Sequence, residues 1–292
     1  MPTILITGAA GVAGQAVVRR VLETRSDLSL KLCDVSPMPS DLRSAAPFVR
    51  VDTRTPGDVE SAVAGVDAVV HLAAWHCAHQ PAVSDETIFA VNVDGTFNVV
   101  QACRRHKVKA LVFASSMAYG HGGVYGVTKV LGEDLCRMFH VCERKPAVCL
   151  RYHDFVPKSY LAFGRMLLRN GVDARDVADA TIASVDAVLA GKVGFFTTVV
   201  HHQLGAPRDV VENFGKLGAD WLEAQLPGAI RLLEKYGIDL PQRLEQHDLS
   251  QAKELMNWSP RYNALDFLRD LAKRDGAGED VGNLWAAGQL PD

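Results

Sequence analysis

The chain has 292 residues, 48% of them hydrophobic and 22% charged, with a formal net charge of −3. A chain of this length buries a sizeable core, and its slightly acidic balance excludes a general attraction to nucleic acid or to an anionic membrane surface. No stretch approaches the roughly 18 consecutive apolar residues of a membrane span, no basic leader precedes the first apolar run, and six cysteines without a CxxC pair read as buried thiols of a cytoplasmic protein.

A short apolar run at 3–7 ends in glycine and predicts a buried strand. Helical spacing covers 12–24, and 28–33 is a second strand closed by Asp34. A proline- and serine-rich loop at 36–47 leads to a strand at 48–51, a short helix at 59–63 and a strand at 67–72. A long helix is expected over 85–106, then a strand at 109–114, a helix at 126–142 and a strand at 147–151. This alternation requires a mostly parallel sheet covered on both faces. Beyond 157 it loosens into a helix at 175–190, a strand at 194–200 and helices at 209–214, 218–224, 227–235, 250–256 and 262–273. The expected organisation is a cofactor domain over 1–157. The remainder, 158–292, returns to the sheet at about 172–200 and otherwise forms a smaller, mainly helical substrate lobe. The tail 276–292 reads as loose, with Leu284 and Trp285 as its anchors.

Gly8, Gly11 and Gly14, with Ala10 and Val12 between them, follow the first strand and open a helix. That context suits a tight turn, close approach of backbone to pyrophosphate, and helix N-terminal amides aimed at negative charge. Asp34 closes the second strand, where its carboxylate can accept from both hydroxyls of an adenosine ribose and repel a 2′-phosphate. The cofactor expected is therefore NAD rather than NADP. Asp52 is a candidate for the adenine amino group, or else a strand-end cap.

Tyr125 and Lys129 lie four apart at the start of the 126–142 helix and share a face. A phenol with a pKa near 10 is a poor base at neutral pH, and an ammonium one turn away, beside a positive nicotinamide ring, is expected to lower it. Ser115 and Ser116 stand at the carboxyl end of the preceding strand, where a hydroxyl can hold a substrate oxygen. Together these residues suit hydride chemistry at a carbinol carbon, with the tyrosine as acid or base.

The chain resembles the extended short-chain dehydrogenase/reductase family, the NAD-dependent epimerase/dehydratase group. The resemblance rests on Thr7-Gly8-Ala9-Ala10-Gly11-Val12-Ala13-Gly14, His71-Leu72-Ala73-Ala74, Asn92-Val93-Asp94-Gly95-Thr96, Phe113-Ala114-Ser115-Ser116, Tyr125-Gly126-Val127-Thr128-Lys129, Leu150-Arg151-Tyr152 and Arg175-Asp176-Val177-Ala178. It implies a doubly wound, Rossmann-type α/β fold. It further implies that Leu72, Ala73 and Ala74 line NAD, that Tyr125 is catalytic, and that Lys129 also holds the nicotinamide ribose. Ser116 is the preferred catalytic hydroxyl, with Ser115 one register away. Trp75, Ser115, Ser116 and Arg175 are placed against substrate, and Asn92 is placed behind the active-site helix. Family members commonly pair two long helices, which implies a homodimer through 85–106 and 126–142.

Nucleotide-sugar enzymes of the group commonly carry an asparagine after the Leu-Arg-Tyr strand, whereas this chain has His153-Asp154-Phe155 and a short stretch before Arg175. In this it looks more like the family's uronate dehydrogenases. A dehydrogenase or reductase of a small sugar-like alcohol is the first reading. A sugar or nucleotide-sugar epimerase, with Arg165, Arg169, Arg175 and Arg208 as a phosphate clamp, is the alternative, and a non-catalytic NAD-binding protein is the third. His76, His79 and His201-His202 have no tetrahedral metal-ligand spacing and read as loop or surface histidines, so no metal is expected. Glu133 and Arg137 read as a helical i,i+4 pair without functional weight.

Overall fold

Strand β1 (Thr3–Thr7) seeds the sheet, and its period of two sets both faces. Leu5 points to one side, into a cluster with Cys33, Val69, Leu111 and Cys149. Ile4 and Ile6 point to the other. β2 (Ser29–Asp34) and β3 (Phe48–Arg50) extend the sheet on one side of β1. β4 (Ala68–His71), β5 (Ala110–Ser116), β6 (Ala147–Tyr152) and β8 (Phe195–Val200) extend it on the other. The order is β3-β2-β1-β4-β5-β6-β8, and the pairings from β3 through β6 are parallel. The computed structural model describes every residue except Ala78, Gln80, Gly122, Asn170 and Asp292.

The chain divides into two compact units. The first comprises Met1–Tyr152, Val177–Val199 and Leu249–Trp258. On the Leu5 face lie α2 (Pro56–Val63), α4 (Gly95–Arg105) and α5 (Val124–Glu143), contributing Val63, Val99, Cys103, Cys136 and Phe139 to the core. On the other face α1 (Val12–Thr24) and α7 (Ala174–Leu189) meet Ile4 and Ile6 through Val17, Val21, Ile182 and Val185. Arg20–Asp179 at 2.6 Å and Arg25–Asp186 at 2.8 Å tie these two helices along their edge. α11 (Ser250–Met256), expected in the lobe, belongs to this unit, its Met256 sulfur 3.7 Å from Ser184 Oγ on α7.

The single helix expected over 85–106 is three pieces. α3 (Asp85–Phe89) is capped by Ser84, whose Oγ accepts from Thr87 N. A π turn, Ala90–Asp94, then separates it from α4. Such a turn adds one residue to the ladder and commonly marks a functional site; here it carries the buried Asn92.

The second unit comprises His153–Asp176, Val200–Asp248 and Ser259–Asp292. Its helices are α6 (Tyr160–Leu167), α8 (Arg208–Glu212), α9 (Phe214–Gln225), α10 (Ala229–Lys235) and α12 (Ala264–Gly276). They enclose a core built on Phe163, Phe214, Leu222, Phe267 and Leu268. Gly164 allows α6 to touch α12, because a Cβ there would collide with the Phe267 ring. The tail is not loose. Val281, Ala286 and Leu290 are buried, and β9 (Trp285–Ala286) pairs with β7 (Lys158–Ser159). Leu290 N donates to Asp173 at 2.9 Å, while Trp285, an expected anchor, is 62% exposed.

Candidate active site

The turn after β1 is shaped by its glycines. Gly8 has φ +69°, the left-handed region that favours glycine, and a Cβ there would come within 2.6 Å of Ala73 N. A Cβ on Gly14 would collide with the Gly8 carbonyl, so α1 can start close beneath the turn only without one. Gly11 is the N-cap of α1 and no side chain caps it, which leaves the first-turn amides open to an anion. Asp34, at the end of β2, is fixed by two backbone donors: Ala10 N at 3.0 Å and Ser36 N at 2.9 Å. Ala10, expected against the cofactor, thus orients Asp34 through its N–H. Asp52 is turned to Arg54, accepting from Nε at 3.0 Å and Nη2 at 2.6 Å and from the Arg54 backbone at 3.0 Å. The guanidinium holds the Asp52 carboxyl below the usual range.

A buried chain of hydrogen bonds runs from this turn to α5. Thr96 Oγ1 donates to Asn92 O at 2.6 Å, so toward His71 it accepts, and Nε2 carries the ring proton. His71 Nδ1 then accepts from Thr7 Oγ1 at 2.7 Å, and Thr7 Oγ1 accepts from Ala73 N at 3.3 Å. Asn92 Oδ1 accepts from Trp75 N at 2.8 Å, while its Nδ2 donates to Trp75 O at 2.9 Å and to Thr128 Oγ1 at 3.0 Å. One amide side chain therefore pins the Leu72–Trp75 stretch to α5. Burial, then the nearby Lys129 charge, push His71 down to about 3, and the ring is neutral.

α5 presses onto its neighbours through two glycines. A Cβ on Gly126 would strike the carbonyls of Ala118 and His121, and one on Gly132 would strike the Phe113 ring. This contact brings Lys129 Nζ to 2.8 Å from Ala114 O and 5.5 Å from the centroid of the Tyr125 ring. His76 packs edge-on against that ring, and Trp75 against His79, each pair with centroids 4.6 Å apart. The nearby Ser116 hydroxyl lowers the phenol pKa of Tyr125, but burial dominates and pushes it up to about 12. The lowering expected from Lys129 belongs to the site with a positive nicotinamide ring in place. Burial pushes the amine itself down to about 8, and its Nζ is committed to the Ala114 carbonyl.

Ser115, expected against substrate, is turned inward and donates to Glu133 Oε1 at 2.6 Å. Glu133 is also gripped by Arg151, whose Nε and Nη2 each donate at 2.8 Å, and the guanidinium stacks 3.7 Å over Tyr119. The expected pairing of Glu133 with Arg137 is not formed; Arg137 sits over Phe195. Glu133 was the residue sequence reasoning undervalued, and its only sequence signal was the arginine inside the Leu-Arg-Tyr strand.

Arg175 lies in the second unit, its Nε and Nη2 each 2.9 Å from Asp173 and its guanidinium 3.8 Å over the Tyr262 ring. Arg165 donates to the carbonyls of Tyr236 and Gly237, and Arg208 pairs with Glu212. Three of the four arginines weighed as a phosphate clamp thus have protein partners. His201 and His202, read as loop or surface residues, are buried.

The sequence profile of the NAD dependent epimerase/dehydratase family matches residues 4–159, more than half of the chain. The chain belongs to the NAD-dependent epimerase/dehydratase family. Among curated relatives, short-chain dehydrogenase/reductase family 42E member 1 of Danio rerio is 36% identical over 121 residues, 41% of this chain and 31% of that protein. A uronate dehydrogenase of Pseudomonas putida is 31% identical over 152 residues, 47% of this chain and 54% of that one. These matches thus span between about a third and about half of the relatives' lengths. A crystal structure of UDP-galactose 4-epimerase, 22% identical, superposes with a TM-score of 0.65 over 93% of this chain and 99% of that one, and shows the shared fold. The family is one of NAD-dependent enzymes, and the first unit fits that cofactor: a glycine turn a Cβ would fill, open helix amides and a pre-oriented carboxylate. No helix among the described residues is long and apolar enough to cross a membrane.

Proposed function

We propose that this chain is an NAD-dependent oxidoreductase that moves hydride between nicotinamide and a secondary alcohol or ketone of a small, sugar-like substrate. The observation that carries this reading is the meeting of Lys129 and the buried Tyr125 on α5, Nζ 5.5 Å from the ring centroid, with Ser116 at the carboxyl end of β5 near enough to the phenol to bias its pKa. Gly8, Gly11 and Gly14 hold the pyrophosphate, Asp34 holds the adenosine ribose, and Leu72, Ala73 and Ala74 lie along the cofactor. When bound, the nicotinamide supplies the hydride acceptor or donor. Ser116 orients the substrate oxygen, and Tyr125 Oη exchanges a proton with it. A phenol held protonated by burial acts first as an acid toward a carbonyl oxygen; as a base it depends on the ammonium of Lys129.

Asp34 supports NAD over NADP by at least tenfold in affinity, about 1.4 kcal/mol, and titration of both cofactors tests that. A substrate without a nucleotide is supported by the protein partners of Arg165, Arg175 and Arg208. The deciding experiment screens aldoses, uronic acids, polyols and nucleotide sugars, following NADH absorbance and product epimers together. Accumulating NADH is expected. An epimer formed with no net NADH would move the chain to the epimerases.

We also place the chain in the cytoplasm as a homodimer. The free, buried thiols of Cys33, Cys103, Cys136 and Cys149 suit a reducing compartment. Phe89 of α3, Phe97 of α4, and Val127 and Val141 of α5 are exposed apolar side chains on the two segments proposed to pair, 85–106 and 126–142. A monomeric mass by light scattering at micromolar concentration would remove that assignment.

A further inference from the structure

The second unit gathers three histidines from three separate segments. His153 follows β6, His201 follows β8, and His247 lies in the irregular stretch before Asp248. His153 N donates to Val200 O at 3.2 Å, so two segments run side by side and stack their rings, with the centroids of His153 and His201 4.1 Å apart. His247 Nε2 comes to 2.9 Å from His153 Nε2. One ring nitrogen from each of the three lies within 4.8 Å of the other two.

His201 is fully buried, yet neither of its ring nitrogens has a hydrogen-bond partner among the described residues. The Arg169 backbone is near enough to be felt electrostatically but makes no hydrogen bond of acceptable geometry. Buried polar groups are almost always satisfied, and an exception requires an explanation such as an ion. The neighbouring carboxylate of Glu245 lies 3.1 Å from His247 Nε2 and 3.6 Å from His153 Nε2, and it is half-exposed. Imidazole nitrogens with one carboxylate form a donor set suited to zinc and its neighbours.

We propose that His153, His201 and His247 bind a divalent transition-metal ion of the zinc class, with Glu245 as the fourth donor. Zinc–nitrogen bonds of about 2.0–2.1 Å place tetrahedral donor atoms about 3.3 Å apart. The His153–His247 pair at 2.9 Å therefore has to open by only a few tenths of an ångström. The ion replaces the hydrogen bond between those rings, occupies the lone pair of His201, and cross-links segments up to 94 residues apart in sequence. It acts as a staple for the stretch carrying Glu245 and His247.

The test uses the full chain without an affinity tag, stripped with chelator and dialysed against zinc, with bound metal measured by mass spectrometry. One zinc per chain at micromolar concentration is expected, with X-ray absorption showing nitrogen and oxygen neighbours and no sulfur. Saturating zinc at about a hundredfold over its dissociation constant should raise the melting midpoint by about 5 °C. His201→Phe removes both ring nitrogens while filling the space, and His247→Ala alters a less buried position; each should weaken binding at least tenfold. If His201→Phe fails to fold, His247→Ala still decides. No stoichiometric zinc in the wild type, zinc held by sulfur, or equal affinity in His247→Ala would overturn the proposal.

Discussion

The two units bury polar groups to different ends. In the first, Thr7, His71, Thr96, Asn92 and Thr128 form one continuous hydrogen-bonded path, and the path ends at α5. In the second, buried carboxylates accept from backbone amides of distant segments. Asp173 takes Leu290 N, and Asp176 takes Arg261 N and Tyr262 N at 2.8 and 2.9 Å. The first arrangement locks side chains of the glycine turn, β4 and α5 to one another, and the second holds a discontinuous chain together. His71 and His201 condense the contrast. Both are buried histidines at strand ends, but His71 has both nitrogens satisfied and His201 has neither. A satisfied buried histidine is architecture, and an unsatisfied one implies a missing partner.

Tyr125→Phe attacks the contrast at its largest effect. The ring and its packing remain, so NAD affinity and melting midpoint should hold while turnover falls by about 10²–10⁴. A variant keeping more than about a tenth of wild-type activity would show that the first unit's polar path positions something other than the acid–base group.

Asp173→Ala should do the opposite. It strips Arg175 of its bidentate partner and leaves the Leu290 amide buried, at a cost of about 3 kcal/mol in denaturant unfolding. The loss should appear as stability rather than as a changed pH profile of the remaining activity.

The satisfied histidine has its own signature in acid. With the folded pKa of His71 lowered to about 3 against an ordinary 6.5, the unfolded chain binds one more proton between those values. Its contribution is full above pH 6.5 and falls as pH drops toward 3, by about 1.4 kcal/mol per pH unit near pH 5. His71→Gln should flatten the stability slope there by that amount. An unchanged slope would mean that His71 is not buried neutral.

The smallest effect expected is a gain. Lys129 is charged and buried at neutral pH, its pKa pushed down to about 8 from 10.5, so it costs stability below pH 8 and progressively less up to 10.5. Lys129→Met removes that cost and loses the bond to the Ala114 carbonyl, for a net gain on the order of 1 kcal/mol at pH 7. Activity should be lost together with it.

Much of the first unit was legible because its signals are local. The spacing of Gly8, Gly11 and Gly14, the strand-end Asp34 and the Tyr125–Lys129 turn each sit inside one short segment with a fixed period. The π turn was not, since the hydrophobic spacing of 85–106 passes through it almost unchanged. Helix α6 was missed because Gly164 and a length of eight residues blur its periodicity, and β7 and β9 are too short to have one. The buried tail, the Glu133–Arg151 pair and the three histidines depend on segments far apart in sequence, where spacing carries no information.

The π turn makes the candidate site depend on a residue count as well as on residue identities. Each α-helical residue advances the chain by about 100°. Shortening Ala90–Asp94 by one residue would leave an ordinary helix, with α3 rotated by that angle relative to Asn92. Ile88, now buried, would swing out of the core while Asn92 still reached for Trp75 and Thr128. Substitutions at Ala90 or Val91 can be absorbed by neighbouring side chains; a single-codon deletion there cannot. In a library of variants Ala90 and Val91 should therefore stand out as permissive to change and closed to loss.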